Sequence, residues 1–184
     1  QILRAPRDPV QRTAILALVQ LRIEACGLRA RGPASIPKKA KGVEPMKVLA
    51  DPAGALPGAV EEVLRFWAPS QYQGRYSVRD SELHGVTIPA GHPVLLLTGA
   101  ATRDPRAFDD PDAFRVDREP SIAIGFGHGV HSCLGAALAR MESRIAIEEL
   151  AERWRRLEVD EGGLRRVHMS NVAGYSNVPV RAIR

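Results

Sequence analysis

The stretch GFGHGVHSCLGAALAR, Gly125 to Arg140, constrains this chain more than any other part of it. Glycines at 125, 127, 129 and 135 surround His128, His131 and Cys133. Glycine lets a backbone turn sharply and lets a neighbour approach it closely. The run that follows reads as a long helix from Leu134 to Trp154, with Leu134, Leu138, Met141 and Ile145 on one stripe. Cys133 then stands one residue before a helix, facing unpaired backbone N–H groups and the positive end of the dipole. Both favour thiolate over thiol. Such a sulfur, with open space around it, is set either to attack or to ligate.

Four chemistries compete for it. A phosphate cradle of the G-x-G-x-x-G type needs a third glycine where Val130 stands, and no lysine follows for G-x-x-x-x-G-K. A zinc site could draw on His128, His131 and Cys133, but H-x-x-H-x-C is not a usual ligand spacing and a fourth ligand would come from afar. A buried structural cysteine is the ordinary fate of a lone thiol, yet it leaves four glycines and a neighbouring histidine unexplained. The fourth chemistry is a thiolate bound to haem iron.

The rest of the chain supplies the frame. PGAVEEVLRFWAP places Val60, Val63, Leu64 and Trp67 at helical spacing, with Pro69 as the stop. GRYSV, HGVTI and HPVLLL read as short strands, the last two joined through PAG as a hairpin. TRDPRAFDDPDAFRVDREP, crowded with Pro and Asp, reads as irregular coil with one helical turn, and VAGYSNVPV as strand. Upstream, residues 10 to 25 space Ile15, Leu18, Val19 and Arg22 as one helix, and the Gly-, Pro- and Lys-rich segment after it reads as linker.

Residues 1 to 47 hold ten Lys and Arg against three Asp and Glu, although the whole chain carries only +5. A basic arm of that kind can bind nucleic acid, but the first aromatic residue of the chain is Phe66, so nothing in the arm can stack a base. A solvated extension is the better reading, with no nucleic-acid partner. No apolar run reaches the roughly 18 residues of a membrane span, and the N-terminus lacks a secretory pattern. Cys26 and Cys133 read as free thiols of a cytoplasmic protein.

FGHGVHSCLGAALAR resembles the F-x-x-G-x-H-x-C-x-G signature of the cytochrome P450 family, with Phe126, Gly129, His131, Cys133 and Gly135 falling on it. EVLR, Glu62 to Arg65, is similar to the family's E-x-x-R helix, and the Pro- and Asp-rich coil ending at Arg118 to its meander. The likeness runs from about Val48 to Val180, in the style of the soluble bacterial branch. It implies a mainly α fold with small β-sheets (α+β), the proximal haem-binding part of the family's architecture, over residues 47–184. Residues 1–46 form a basic segment without a family match.

The resemblance also implies roles. Cys133 is the axial ligand of haem b (iron protoporphyrin IX) and the catalytic residue. His131 and Arg75 hydrogen-bond the propionates, Phe126 packs beside the sulfur, and Gly127, Gly129 and Gly135 give the porphyrin room. Glu62, Arg65 and Arg118 form a structural lock between helix and meander. The activity implied is a monooxygenase acting on a small apolar substrate, with electrons from a ferredoxin and its reductase. The family's distal helix, with its acid–alcohol pair, should precede Glu62, and residues 1 to 47 hold no A-G-x-D/E-T string. The expectation is therefore a truncated, incomplete enzyme with weakly held haem, or a non-catalytic remnant that binds haem loosely or only folds.

Overall fold

The structure is a computed structural model, and it describes residues 2–3, 52–118, 124–154 and 156–183. The helix expected over residues 10 to 25, the linker after it and Cys26 lie outside the described residues.

Helix α1, Pro52–Phe66, begins five residues upstream of the PGAVEEVLRFWAP stretch and carries Pro57 inside it. Pro57 forfeits one internal hydrogen bond, but the apolar row continues through it. Leu56, Ala59, Val60, Val63 and Phe66 are all buried. The helix ends where the Trp67 N–H donates to the Val63 carbonyl (2.8 Å) and Pro69 forbids another turn.

After α1 the chain forms two nested antiparallel ladders, not the single hairpin through PAG that the sequence suggests. Strand β2 (Gln73–Tyr76) pairs with β5 (Pro93–Leu96), and β3 (Ser81–Leu83) pairs with β4 (Val86–Ile88). The two residues between β3 and β4, His84 and Gly85, both take left-handed backbone angles (φ 50° and 77°). That conformation matches the twist of a tight hairpin, so HGVTI folds back on the strand before it. The PAG segment instead closes the outer ladder, Gly91 donating to the Ser77 carbonyl and Ser77 to that of His92.

A short helix α2 (Thr98–Ala101) leads into the meander, whose described residues form no regular element before the turn at Ile124–Phe126. Helix α3, Ala136–Arg153, then packs on α1. Leu56, Ala59, Val60 and Ile147 form one core cluster between the two helices, and Val63, Phe66 and Phe114 form a second where α1 meets the meander. The stripe expected on α3 is not its buried face. Ser143 and Ile147, one turn apart, are its buried residues, whereas Leu138, Met141 and Ile145 are exposed.

Beyond α3, β6 (Arg156–Val159) and β9 (Val180–Ile183) pair antiparallel, and β1 (Ile2–Leu3) adds to the far side of β9. Strands β7 (Arg165–Arg166) and β8 (Tyr175–Asn177) form a further pair. Helices with several small antiparallel ladders make an α+β fold, the class the sequence predicts. Among the described residues no helix is long and apolar enough to cross a membrane.

One close approach fixes α1 against the meander. A Cβ on Gly58 would stand 2.3 Å from the Val116 carbonyl oxygen, a backbone atom that cannot swing aside. Gly58→Ala should therefore force helix and meander apart and cost about 1–3 kcal/mol in urea unfolding. Gly74→Ala, with nothing within 4 Å of its added methyl, should stay within roughly 0.5 kcal/mol. Equal effects from the two would contradict the packing described.

Candidate functional site

At the centre of the described residues lies a carboxylate. Glu62 is 3% exposed, on the face of α1 that looks into the meander. Arg65, one turn later, grips it with a parallel fork, Nε to Oε2 and Nη2 to Oε1, both 2.7 Å. The Arg115 backbone N–H donates to Oε1 (2.8 Å), and Arg118 Nε approaches both oxygens at 3.3 and 3.4 Å. The structure thus brings Glu62, Arg65 and Arg118 together. Two planar guanidiniums suit one carboxylate because each offers donors in a fixed fork.

The donors left over hold the meander. Arg65 reaches the carbonyls of Thr102 (3.0 Å), Pro111 (2.9 Å) and Ala113 (3.0 Å). Arg118 reaches those of Asp109 (2.6 Å), Asp110 (3.1 Å) and Ala113 (3.1 Å). A coil without internal ladders leaves its carbonyls unpaired; here arginine donors pair them.

Arg103, which no sequence motif marks, completes the arrangement. It lies 3.5 Å from the centre of the Phe66 ring, donates to the Phe66 carbonyl (2.7 Å) and pairs with Asp112 (2.8 Å). Burial first, then the neighbouring Arg65 guanidinium, pulls its pKa below the ordinary value, opposed by Asp112. One arginine in a coil has no period to betray it.

The cysteine loop rests on α1 as well. A Cβ on Gly125 would meet the Leu64 carbonyl oxygen at 2.9 Å, so the loop lies directly on the helix backbone. Gly127 and Gly129 take left-handed angles (φ 79° and 64°), which side chains rarely adopt. They lead into the turn Gly129–His131, which carries the chain round to Cys133. The Cys133 N–H closes this loop on the Phe126 carbonyl at 2.8 Å. Cys133 stands three residues before Ala136, the first residue of α3, and not one as the sequence suggests, because Cys133 to Gly135 form a turn before the helix proper.

The thiol is exposed, and Val130 and Leu134 beside it are almost wholly so. A Cβ on Gly129 would meet nothing within 4 Å, and one on Gly135 only Cys133 Sγ at 3.9 Å. Phe126 is half-buried, with the Arg140 guanidinium 4.9 Å from its ring centre. His131 is exposed. Arg75, on β2, makes its side-chain hydrogen bonds within its own strand, to Gly74 (2.8 Å) and Gln73 (3.1 Å). The zinc alternative finds no support in this placement. Among the described residues no three His, Cys, Asp or Glu side chains group as a metal site, His128, His131 and Cys133 included.

Comparison with known proteins gives one answer. The model of the cytochrome P450 family matches residues 55–173. Cytochrome P450 123 of Mycobacterium tuberculosis is 48% identical over 126 residues, covering 68% of this chain and 31% of that protein. Mycinamicin IV hydroxylase/epoxidase of Micromonospora griseorubida is 52% identical over 108 residues, covering 57% and 27%. Among solved structures, that of CYP109E1 from Bacillus megaterium in complex with testosterone superposes with a TM-score of 0.78 at 27% identity, covering 97% of this chain and 45% of that one. P450BioI in complex with a fatty-acyl-loaded acyl carrier protein superposes with 0.77 at 32%, covering 94% and 40%. The chain spans about a third of the length of these curated relatives.

Removing the Glu62 carboxylate would leave the Arg65 and Arg118 guanidiniums buried and unbalanced. Glu62→Ala should cost about 3–5 kcal/mol and yield little folded protein, whereas Glu152→Ala, at an exposed site on α3, should change stability by less than about 0.5 kcal/mol. Denaturant unfolding checks both. A Glu62→Ala chain as stable as Glu152→Ala would contradict the lock.

Proposed function

The chain belongs to the cytochrome P450 family, and on that premise we propose that residues 47–184 are the cofactor-holding part of a haem-thiolate monooxygenase. One observation carries the reading. Cys133 is an exposed thiol, pinned at its backbone to Phe126, and the neighbouring Gly129 and Gly135 leave open space beside it. A single soft sulfur, in a loop where no three His, Cys, Asp or Glu side chains group as a metal site among the described residues, suits a cofactor that brings its other metal ligands with it.

In this reading Cys133 would supply the sulfur that binds the iron of haem b. His131 and Arg75 would meet its propionates, for which the loop His and the half-buried strand Arg provide hydrogen-bond donors. Phe126 would pack beside the sulfur and tune how much charge the ligand donates. Gly129 and Gly135 would keep side chains out of the space a flat macrocycle needs, and Gly127, where a Cβ would stand 3.0 Å from the His131 carbonyl oxygen, lets the loop that would border the cofactor close on itself. Haem bound through a thiolate supplies oxygen activation, because the electron-rich sulfur favours O–O cleavage.

The chain's own residues do the rest by holding still. Glu62, Arg65 and Arg118 tie α1 to the meander, and α1 carries the Gly125 end of the cysteine loop on its backbone. Pre-set ligand geometry of this kind is what lets a protein orient a cofactor. Hydroxylation and epoxidation appear in the name of the Micromonospora relative, and oxygenation of a small apolar substrate is the matching proposal here. A ferredoxin with its reductase is the proposed electron donor, and the cytoplasm the proposed location.

Reconstituted with haem, reduced and exposed to carbon monoxide, the chain should show the red-shifted Soret band of a thiolate ligand. Cys133→Ala should abolish that band and Cys26→Ala should keep it. Equal spectra from the two variants would overturn the ligand assignment. A thiolate band without any hydroxylated product, when ferredoxin, reductase and oxygen are supplied, would leave the cofactor reading standing and remove the monooxygenase activity from this chain.

A further inference from the structure

Glu61 reads from the sequence as the plain neighbour of Glu62. In the structure it is half-buried and bound to Arg140 of α3, through Arg140 Nε to Oε1 and through Nη2 to Oε2 at 3.1 Å. The same guanidinium lies 4.9 Å from the centre of the Phe126 ring. Phe126 in turn accepts the Cys133 N–H on its carbonyl. Three separate elements therefore meet at one cation: α1 through Glu61, α3 through Arg140 itself, and the cysteine loop through Phe126.

We propose that Arg140, anchored by Glu61 and laid against the Phe126 ring, is the positioning residue of the Cys133 loop. The proposal rests on the reading of that loop as the seat of a haem thiolate. Arginine suits the task because its planar fork can hold a carboxylate at its edge and present its face to a ring. The pair is also partly shielded from water, with side chains 36% and 29% exposed, so salt screens it less than a free surface pair. The hydrogen bond to Glu61 raises the Arg140 pKa above its ordinary value, against the opposing effect of burial.

Arg140 does two separable things. It braces the loop mechanically, and it places a positive charge, balanced by Glu61, against the ring of the residue whose carbonyl accepts the Cys133 N–H. Loss of Arg140 leaves Glu61 as an uncompensated negative charge, and loss of the Glu61 charge leaves Arg140 as an uncompensated positive one. Reduction adds an electron at the iron, so a nearby positive charge favours the reduced state and a negative charge disfavours it.

The test uses the full chain with Arg140→Gln, Arg140→Lys and Glu61→Gln. In the haem-free chain, amide hydrogen exchange over residues 126–134 should run about fivefold faster in Arg140→Gln, the factor that loss of a cation–ring contact corresponds to. Arg140→Lys, which keeps the charge and loses the planar fork, should recover only part of that protection. After haem loading, the reduction potential should fall in Arg140→Gln and rise in Glu61→Gln. Wild-type loop exchange in Arg140→Gln, no recovery in Arg140→Lys, or potentials that move in the same direction would each overturn the proposal. A chain that takes up no haem in any form would instead overturn the haem-thiolate reading, and the exchange comparison would still decide the role of Arg140.

Discussion

A carboxylate as buried as Glu62 carries a large desolvation penalty unless charge and hydrogen bonds compensate it. Here the compensation comes from three directions, the Arg65 fork, the Arg118 guanidinium and the Arg115 backbone N–H. The first belongs to the helix and the other two to the meander. Satisfying one oxygen pair therefore orders a segment of Pro- and Asp-rich coil that has no ladder of its own. The arginines also pair meander carbonyls and stack on rings: Arg65 lies 5.4 Å from both the Phe66 and Phe108 ring centres. Electrostatics and packing are here one structure, because the rings that shield the charges are also part of the core.

The cysteine loop inherits its position from this frame. Gly125 lies on the Leu64 carbonyl, in the same turn of α1 that carries Glu62 and Arg65. From there the left-handed glycines bring the chain round, and the Cys133 N–H closes it on Phe126. Glu61, next to Glu62 on α1, reaches Arg140 and through it the Phe126 ring. Two neighbouring glutamates thus divide the labour, Glu62 holding the meander and Glu61 the loop.

Much of this is legible in the residues alone. The spacing of Glu62 and Arg65 puts them on one helix face, and the glycine pattern around Cys133 marks a loop with room for something flat. What the pattern does not show has physical causes. The register of the small ladders depends on two left-handed residues, His84 and Gly85, and a histidine at such a position carries no obvious signal. The start of α1 at Pro52 lies upstream of the apolar spacing that marks the helix, and Pro57 is tolerated inside it. On α3 the apolar stripe is the exposed one, and Ser143 and Ile147 are the residues it buries, so hydrophobicity points to the wrong face. Arg103 with Phe66, and Glu61 with Arg140, join residues far apart in sequence, where no local period can reveal them.

In the haem-thiolate reading proposed above, this frame presents the Cys133 sulfur to haem iron. Iron-edge X-ray absorption on the haem-loaded chain tests it most directly, because it reads the atoms bonded to the metal. One sulfur bonded to iron is expected in the wild-type chain and none in Cys133→Ala. An iron bonded only to nitrogen and oxygen in the wild-type chain would contradict it.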